Sequence, residues 1–170
     1  TLQAGATYVG KFMLPAKVGN ECITIRTNAP DSALPAPGQR ITPAYASVLP
    51  KIVAPGLNES AIRTALGAHH YKFIGVEITK KDEAAYTSSL IEIGSGLEYT
   101  LEGKAHHFEL DRVYIHGLPD SFLKFCVVLS SESTIIKNSY ISSCKDIGFD
   151  SQAIGGWAGP GPYQIINNYL

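Results

Sequence analysis

Two carboxylates and a lysine in the second half of the sequence are well suited to acid–base chemistry. Asp146 and Asp150 lie close together in the chain, and Lys124 precedes them within an apolar run. A carboxylate that faces a sugar can act as a general acid or base, and a lysine can neutralise a uronate carboxylate during proton removal. We therefore predict that the candidate catalytic residues are Asp150, Lys124 and Asp146.

Side chains around this cluster could hold a saccharide without reacting with it. An indole ring stacks on the apolar face of a pyranose, and polar groups can hydrogen-bond its hydroxyls. The candidate substrate-binding residues are Gln152, Trp157, Lys145 and Glu92. The orientation of Asp150 and Gln152 stays open. If Ile154 aligns with Leu129 in a neighbouring strand, both side chains turn inward and hydrogen-bond adjacent turns instead.

The sequence contains no complete signature of polysaccharide cleavage. Hydrolysis requires two acids about 5 to 9.5 Å apart, and the available acids form no recognisable pair (Glu92, Asp120, Asp146 and Asp150). A lyase requires a base together with cations or calcium. Lys104, Lys124 and Lys145 could supply charge, but no aspartate cluster indicates calcium. We therefore predict no cofactor, calcium being unsupported by any motif.

Composition excludes several classes of partner. Charged residues are 17% of the 170 residues and the formal net charge is -1, so no basic field is available for nucleic acid. The longest apolar runs, such as residues 126–129, fall far short of the roughly 20 residues that a membrane span needs. We expect no nucleic-acid partner and no membrane insertion.

An internal repeat indicates how these residues are positioned. Four hexads align, "FIGVEI", "LDRVYI", "IKNSYI" and "IINNYL", and they begin at residues 73, 110, 136 and 165. Each has an apolar first and last residue. The third residue is Gly75, Arg112, Asn138 or Asn167, and glycine and asparagine tolerate the left-handed backbone of a sharp bend. Arg112 is the exception to this pattern.

The residues around each bend predict an inward face. Before the bend these are Phe73, Leu110, Ile136 and Ile165, and after it Val76/Ile78, Val113/Ile115, Ser139/Ile141 and Asn168/Leu170. A second set of strand-like runs precedes the hexads, at 61–66, 89–94, 124–131 and 150–156. Each repeat thus contains one strand-like run followed by a hexad, and the bend divides the hexad into two further strands. This pattern predicts a solenoid with three strands per coil. Helices have little room, since the chain holds 16 Gly and 10 Pro.

The runs "FCVVLSS" (125–131) and "STIIKNSYISS" (133–143) resemble the first strand, and the second strand, asparagine turn and third strand, of the right-handed parallel β-helix of the pectin-lyase-like superfamily. The resemblance covers about residues 60–170. The last run, "DSQAIGGWAGPGPYQIINNYL", is similar to uncharacterised bacterial β-helix repeat proteins. The superfamily includes lyases, hydrolases, adhesins and tailspikes. The resemblance implies a binding groove along the outer face of the first strands and their flanking loops.

We predict an all-β fold, a single β-helix domain over 1–170 with a proline-rich loop insertion at 28–60. That insertion is either a lid over a cleft or a structural cover. The chain ends on Leu170 in mid-coil without a polar cap, which predicts a β-helix that is incomplete at this end and part of a longer chain, or one that another chain contacts there.

Histidines and cysteines add weaker signals. The pairs His69-His70 and His106-His107 are as far apart as the first two hexads, so they could stack on adjacent coils. A metal site needs converging ligands and supporting groups, so the sequence favours a surface stack and we predict no metal. Cys126 is interpreted as a small buried hydrophobe, with one disulfide left open.

Taken together, these features favour a secreted or cell-surface β-helix protein that binds polysaccharide or acts on it, as a lyase or hydrolase. A structural or adhesive surface protein without catalysis is the alternative. Three tyrosines at equivalent hexad positions, Tyr114, Tyr140 and Tyr169, could stack on one another or contact carbohydrate.

Overall fold

The computed structural model describes residues 1–81, 84–120 and 122–170. Within these residues the chain forms fifteen strands in five successive coils of three strands each. The strands are β1 Thr7–Val9, β2 Phe12–Leu14, β3 Ile23–Arg26, β4 Lys51–Ala54, β5 Ile62–Thr64, β6 His69–Ile74, β7 Glu77–Lys80, β8 Thr87–Ile93, β9 His106–Asp111, β10 Tyr114–His116, β11 Leu123–Leu129, β12 Glu132–Lys137, β13 Tyr140–Ser142, β14 Gln152–Gly155 and β15 Gly161–Ile166.

Three parallel sheets run along the stack of coils. Sheet 1 has the order β1-β4-β7-β10-β13, sheet 2 the order β2-β5-β8-β11-β14, and sheet 3 the order β3-β6-β9-β12-β15. Neighbouring strands in each sheet pair in parallel, as the register of β6 with β9 illustrates. The molecule is therefore a parallel β-helix with three strands per coil, as the repeat predicted.

The hexads connect sheet 3 to sheet 1. Phe73, Leu110, Ile136 and Ile165 pair with one another in one continuous row. The first three are buried in the core as predicted. Ile165 belongs to the last coil and is 41% exposed, because no further coil covers it in the described part of the chain.

The third hexad residue adopts the left-handed conformation in every repeat. The φ angles of Gly75, Arg112, Asn138 and Asn167 are 60, 51, 53 and 52°. Arg112 is the exception in residue type, but it adopts the same conformation as the glycine and the asparagines. Its guanidinium donates hydrogen bonds to the carbonyl of Pro35 at 2.9 Å and to Asp111 at 3.2 Å, and these bonds hold the bend.

Sheet 2 contains all four runs of the second set, as strands β5, β8, β11 and β14. The orientation of Gln152 was left open, and the structure does not adopt the alignment of Ile154 with Leu129: Ile154 pairs with Val127 and Gln152 with Phe125. The strict alternation of faces is interrupted in β11, where Cys126 and Val127 both join the core. Gln152 therefore lies on the outside and is exposed.

The proline-rich segment packs on the outside of the β-helix. It contains two short 3-10 helices, Asp31–Ala33 and Pro43–Val48. Its buried apolar residues form a second core with Ile74, Tyr114 and Tyr140 (Leu34, Ile41 and Leu49). The segment thus covers the tyrosine side of the molecule. Strand β4 lies within the predicted loop range 28–60 and belongs to sheet 1, since three of its residues pair with β1 and all four pair with β7.

Cys126 and Cys144 form a disulfide with a Cα–Cα distance of 5.5 Å. Cys126 is fully buried, so its interpretation as a small core residue was incomplete: it also links β11 to the segment that follows β13. Cys22 is free and exposed. Among the described residues, no helix has the length and apolar character needed to cross a membrane.

Candidate functional site

Two aromatic rings lie together on the outer side of sheet 2, at the fourth and fifth coils. The ring centroids of Phe125 and Trp157 are 6.0 Å apart, and Trp157 is 65% exposed. Lys124 places its Nζ 5.4 Å from the centre of the Phe125 ring, a cation–π distance. We call Phe125 and Trp157 the aromatic platform.

Glycines make room for this platform. A Cβ on Gly155 would lie 2.7 Å from the Phe125 ring, and a Cβ on Gly96 would lie 2.8 Å from Trp157 Nε1. Both distances are too short for a real side chain, so the two rings can approach the backbone at these positions only because the residues there are glycine. The Gln152 side chain also lies over Gly155, with its Oε1 2.8 Å from the same Cβ position.

A buried ion pair fastens the loop that carries Trp157. Lys104 Nζ donates a hydrogen bond to the carbonyl of Ala158 at 2.9 Å and lies 3.8 Å from Glu98 Oε2. Glu98 in turn accepts hydrogen bonds from the backbone N–H groups of Ser95 at 2.7 Å and Gly96 at 2.9 Å. The loop after β8 and the loop after β14 are therefore held together, which fixes the position of Trp157.

The electrostatics of Glu98 agree with this structural role. Burial raises the pKa of Glu98, but the hydrogen bonds from Ser95 and Gly96 outweigh burial and leave the pKa below its usual value. The carboxylate therefore stays charged and keeps its partners at neutral pH. The spacing of Ser95 and Glu98, a serine followed three residues later by a glutamate, is the pattern of a local backbone cap and could have indicated this turn from the sequence.

The structure brings together three of the predicted site residues. Lys124, Gln152 and Trp157 surround Phe125, which sequence reasoning had assigned only to the strand. The sequence did not identify Phe125 as a surface residue, because an aromatic residue in an apolar run with regular alternation is expected to belong to the strand and not to a site. Only the interruption at Cys126 and Val127 turns it outward.

The other predicted residues have different surroundings. Glu92 pairs with Arg63 Nε at 3.0 Å in the third coil, and Lys145 lies 3.7 Å from the exposed Asp120. Asp146 is 9% exposed, and its Oδ2 is buried without a hydrogen-bond partner among the described residues. Asp150 is exposed and lies just before β14.

The tyrosine row is a structural stack for most of its length. Tyr140 and Tyr169 stack with ring centroids 4.3 Å apart, and Tyr114 meets Tyr140 edge-on at 5.8 Å. Glu77, at the equivalent position one coil earlier, is buried and accepts hydrogen bonds from Lys51 Nζ at 2.8 Å. The proline-rich segment packs on Tyr114 and Tyr140, whereas the side chain of Tyr169 is 46% exposed.

The fold and this surface define a parallel β-helix with an exposed aromatic platform on one sheet. No protein-family model matches the sequence, and no curated protein or solved structure matches it either. Functional inference therefore depends on the geometry of the platform.

Proposed function

We propose that this β-helix binds polysaccharide through the outer face of sheet 2, on the aromatic platform. The observation that carries the proposal is the position of Trp157: its ring is mostly exposed, rests against Phe125 and is held by a fastened loop. An exposed tryptophan that is fixed in place loses little conformational entropy when a ligand stacks on it. This is the property that an aromatic ring needs in order to stack on a sugar.

The polar groups around the platform favour an acidic polysaccharide. Lys124 supplies a positive charge beside Phe125, and the Gln152 amide can both donate and accept hydrogen bonds. A pyranose stacked on Trp157 would present its ring substituents towards these groups. A uronate carboxylate would gain a charge-assisted contact that a neutral sugar lacks.

The disulfide supports a location outside the cytoplasm. Disulfides persist in oxidising compartments and are rare where thiols are kept reduced, and the Cys126–Cys144 bond joins the fourth coil to the fifth. We therefore place the protein in the secreted or cell-surface class. The resemblance to the pectin-lyase-like superfamily, with its right-handed coils, supports the same assignment.

Binding to purified polysaccharides tests the proposal. The probes are a polygalacturonate and a neutral glucan, titrated by calorimetry against the wild type, Trp157→Ala and the control Tyr86→Ala, which removes a tyrosine that is 42% exposed. We expect binding to polygalacturonate, a loss of at least about tenfold in affinity for Trp157→Ala, and no change for Tyr86→Ala. Equal affinity in all three proteins, or no binding by the wild type, would count against the platform.

The same mixtures show whether binding is accompanied by cleavage. New reducing ends with absorbance of unsaturated uronates would indicate a lyase, and reducing ends alone a hydrolase. Either product would justify replacing Asp150, Lys124 and Asp146 one at a time. Binding without product would identify a binding module.

A structural or adhesive role is the second candidate, and one observation favours it. Both ends of the coil stack have cavities, a mostly apolar one of about 260 Å³ beside β2 and a mixed polar and apolar one of about 360 Å³ beside β14 and β15. The second cavity is lined partly by Ile154, Ile165 and the platform residue Trp157. We propose that protein covers this end, and sedimentation analysis over a range of concentrations tests whether chains associate there. Replacement of Ile165 by aspartate should abolish such association.

A further inference from the structure

Four histidines form a regular array at the start of sheet 3. Strands β6 and β9 each begin with a histidine pair, and His69 is in register with His106. The rings of His69 and His106 stack with centroids 4.8 Å apart and 1° between planes, and those of His70 and His107 stack at 4.6 Å and 3°. The predicted stack on adjacent coils is confirmed. We call these four residues the histidine ladder.

Within each coil the two imidazoles meet through the same nitrogen. The Nδ1 atoms of His69 and His70 are 2.8 Å apart, and those of His106 and His107 are 2.7 Å apart. The backbone produces this approach, because His70 and His107 have φ angles of 58 and 56°.

Ser133, at the corresponding position of the next coil, has a φ of 49°. The bend itself therefore belongs to the coil. The distinctive feature is that imidazoles occupy it in two successive coils.

The spacing of the imidazole nitrogens in the array suits a transition-metal ion. A stack of rings with a purely structural role would not require this spacing. One ligand nitrogen from each of His69, His70 and His106 lies within 4.8 Å of the other two. A tetrahedral zinc ion has Zn–N distances of about 2.0–2.1 Å, so its ligand nitrogens lie roughly 3.3 Å apart. The spacing within a coil is already within about 0.6 Å of that value, and rotation of the side chains across coils would close the remainder. We propose that the histidine ladder binds a divalent transition-metal ion of the zinc and copper class.

A supporting hydrogen bond prepares one ligand. His69 Nε2 is 2.9 Å from the carbonyl of Lys17, and a carbonyl can only accept, so Nε2 carries the proton. The Nδ1 of His69 is then unprotonated and accepts a hydrogen bond from the Nδ1–H of His70, so a metal ion bound between the two nitrogens would displace that proton. A backbone acceptor of this kind orients many metal-binding histidines.

Glu132, the first residue of β12, is in register with His106. Imidazole binds metal in its neutral form. Glu132 adds a negative charge that a cation would favour.

Cys22 stands beside the ladder and requires a control. Its exposed thiol lines a cavity of about 170 Å³ together with His70 and His107. Thiolates bind zinc and copper on their own. All titrations therefore use the Cys22→Ser background, so that a bound ion cannot be held by this thiol.

Calorimetric titration with Zn²⁺ alone, at pH 7.5 and after removal of metal by a chelator, tests the proposal. We expect one ion per chain and a rise in the unfolding temperature when Zn²⁺ is added. His69→Gln with His106→Gln should weaken binding by at least about 100-fold. His116→Gln, which changes the one histidine outside the ladder, should bind Zn²⁺ as the parent does. Binding should also fall when the pH is lowered to 5.5, because the imidazoles become protonated.

Circular dichroism of each metal-free variant establishes that it is folded. If the double variant does not fold, His70→Gln provides the second test, since His70 is one of the three converging histidines and its side chain is only partly buried. It should weaken binding without loss of fold. No heat and no thermal shift in the parent protein would overturn the proposal. So would Zn²⁺ binding of equal strength in the folded ladder variants, because the ion would then be held elsewhere.

Discussion

At the scale of single residues, the bend in each hexad depends on one left-handed position and the polar bonds around it. Asn138 Nδ2 donates a hydrogen bond to Asp111 Oδ1 at 3.0 Å, and Asn167 Nδ2 donates one to Asn138 Oδ1 at 2.9 Å. The amides thus form a ladder between coils. Gly75 takes this position in the second coil because a Cβ there would lie 2.8 Å from Leu34 Cδ1.

Replacement of Asn138 separates the backbone and side-chain contributions. Asn138→Ala should lower the free energy of unfolding by about 2 to 4 kcal/mol, because it adds left-handed strain to the loss of buried hydrogen bonds. Asn138→Gly should cost less, roughly 1 to 2 kcal/mol, since only the hydrogen bonds are lost. Urea denaturation measures both. Equal losses would show that the left-handed conformation carries no cost at this position.

Glu77 should make stability depend on acidity. Burial raises the pKa of Glu77, but hydrogen bonds from His116 and Lys51 outweigh it and leave the pKa below the usual 4.5. A lowered pKa in the folded state contributes stability above about pH 4.5, and this contribution is lost as the pH falls through the folded value. Glu77→Gln should therefore lower the free energy of unfolding by roughly 2 to 3 kcal/mol at pH 7. The loss is smaller than for a fully buried pair because Lys51 is partly exposed.

The difference between wild type and Glu77→Gln should shrink steadily below pH 4.5. Urea denaturation from pH 3 to 7 measures it. Glu59→Gln is the matched control, because Glu59 pairs with Lys11 at the surface and both side chains are well exposed; its effect should be far smaller at every pH. A loss for Glu77→Gln that is the same at pH 3 and pH 7 would rule out the charged network as its cause.

At the scale of strands and loops, much of the architecture could be predicted from the sequence. The row of Phe73, Leu110 and Ile136 was predictable because all three occupy the first position of their hexads, and a solenoid places equivalent positions above one another in successive coils. The outward orientation of Phe125 could not be predicted. It depends on a break in the alternation of β11, where the consecutive residues Cys126 and Val127 both pack into the core. Strand β4 was hidden for another reason: Pro50 and Pro55 flank a strand of four residues, and the prolines dominate the local pattern.

Loops between sheets 2 and 3 stack as closely as the strands do. A Cβ on Gly94 would lie 2.2 Å from the carbonyl oxygen of Ser130 in the next coil, at a φ of 78°. Gly94→Ala should therefore destabilise the protein by roughly 3 kcal/mol or more. Gly19→Ala is the control, because Gly19 has a similar φ of 74° but open space around it, so only about 1 to 2 kcal/mol should be lost. Thermal unfolding compares the two, and similar losses would contradict a steric cause.

At the scale of the whole molecule, the candidate site arises from stacking of coils. Trp157 in the last coil rests on Phe125 in the coil before it, and Gly96 from the third coil makes room for the indole. A single sequence reveals each of these residues but not their vertical alignment, since loops of unequal length separate them. Lys124, Gln152 and Trp157 each lie beside Phe125, whereas Glu92 and Lys145 pair elsewhere, and the roles of all five residues stay predictions.

The disulfide should decide how independently the last coil unfolds. In a solenoid each coil contacts only its neighbours, so one coil can open without the rest. Cys126 and Cys144 are 18 residues apart in sequence, and closing a loop of that length stabilises a protein by about 3 kcal/mol. Reduction, or the replacement of both cysteines by serine, should therefore loosen β13, β14 and β15 before the rest.

Hydrogen exchange measured by mass spectrometry locates this effect. We expect faster exchange in 140–166 after reduction, with little change in β5 to β9, and weaker polysaccharide binding because Trp157 lies in the loosened coil. Cys22→Ser, which removes the free thiol alone, should leave both exchange and binding unchanged. A uniform rise in exchange over all coils would mean that the β-helix unfolds as one cooperative unit. The disulfide would then stabilise the whole stack, and the platform would depend on every coil beneath it.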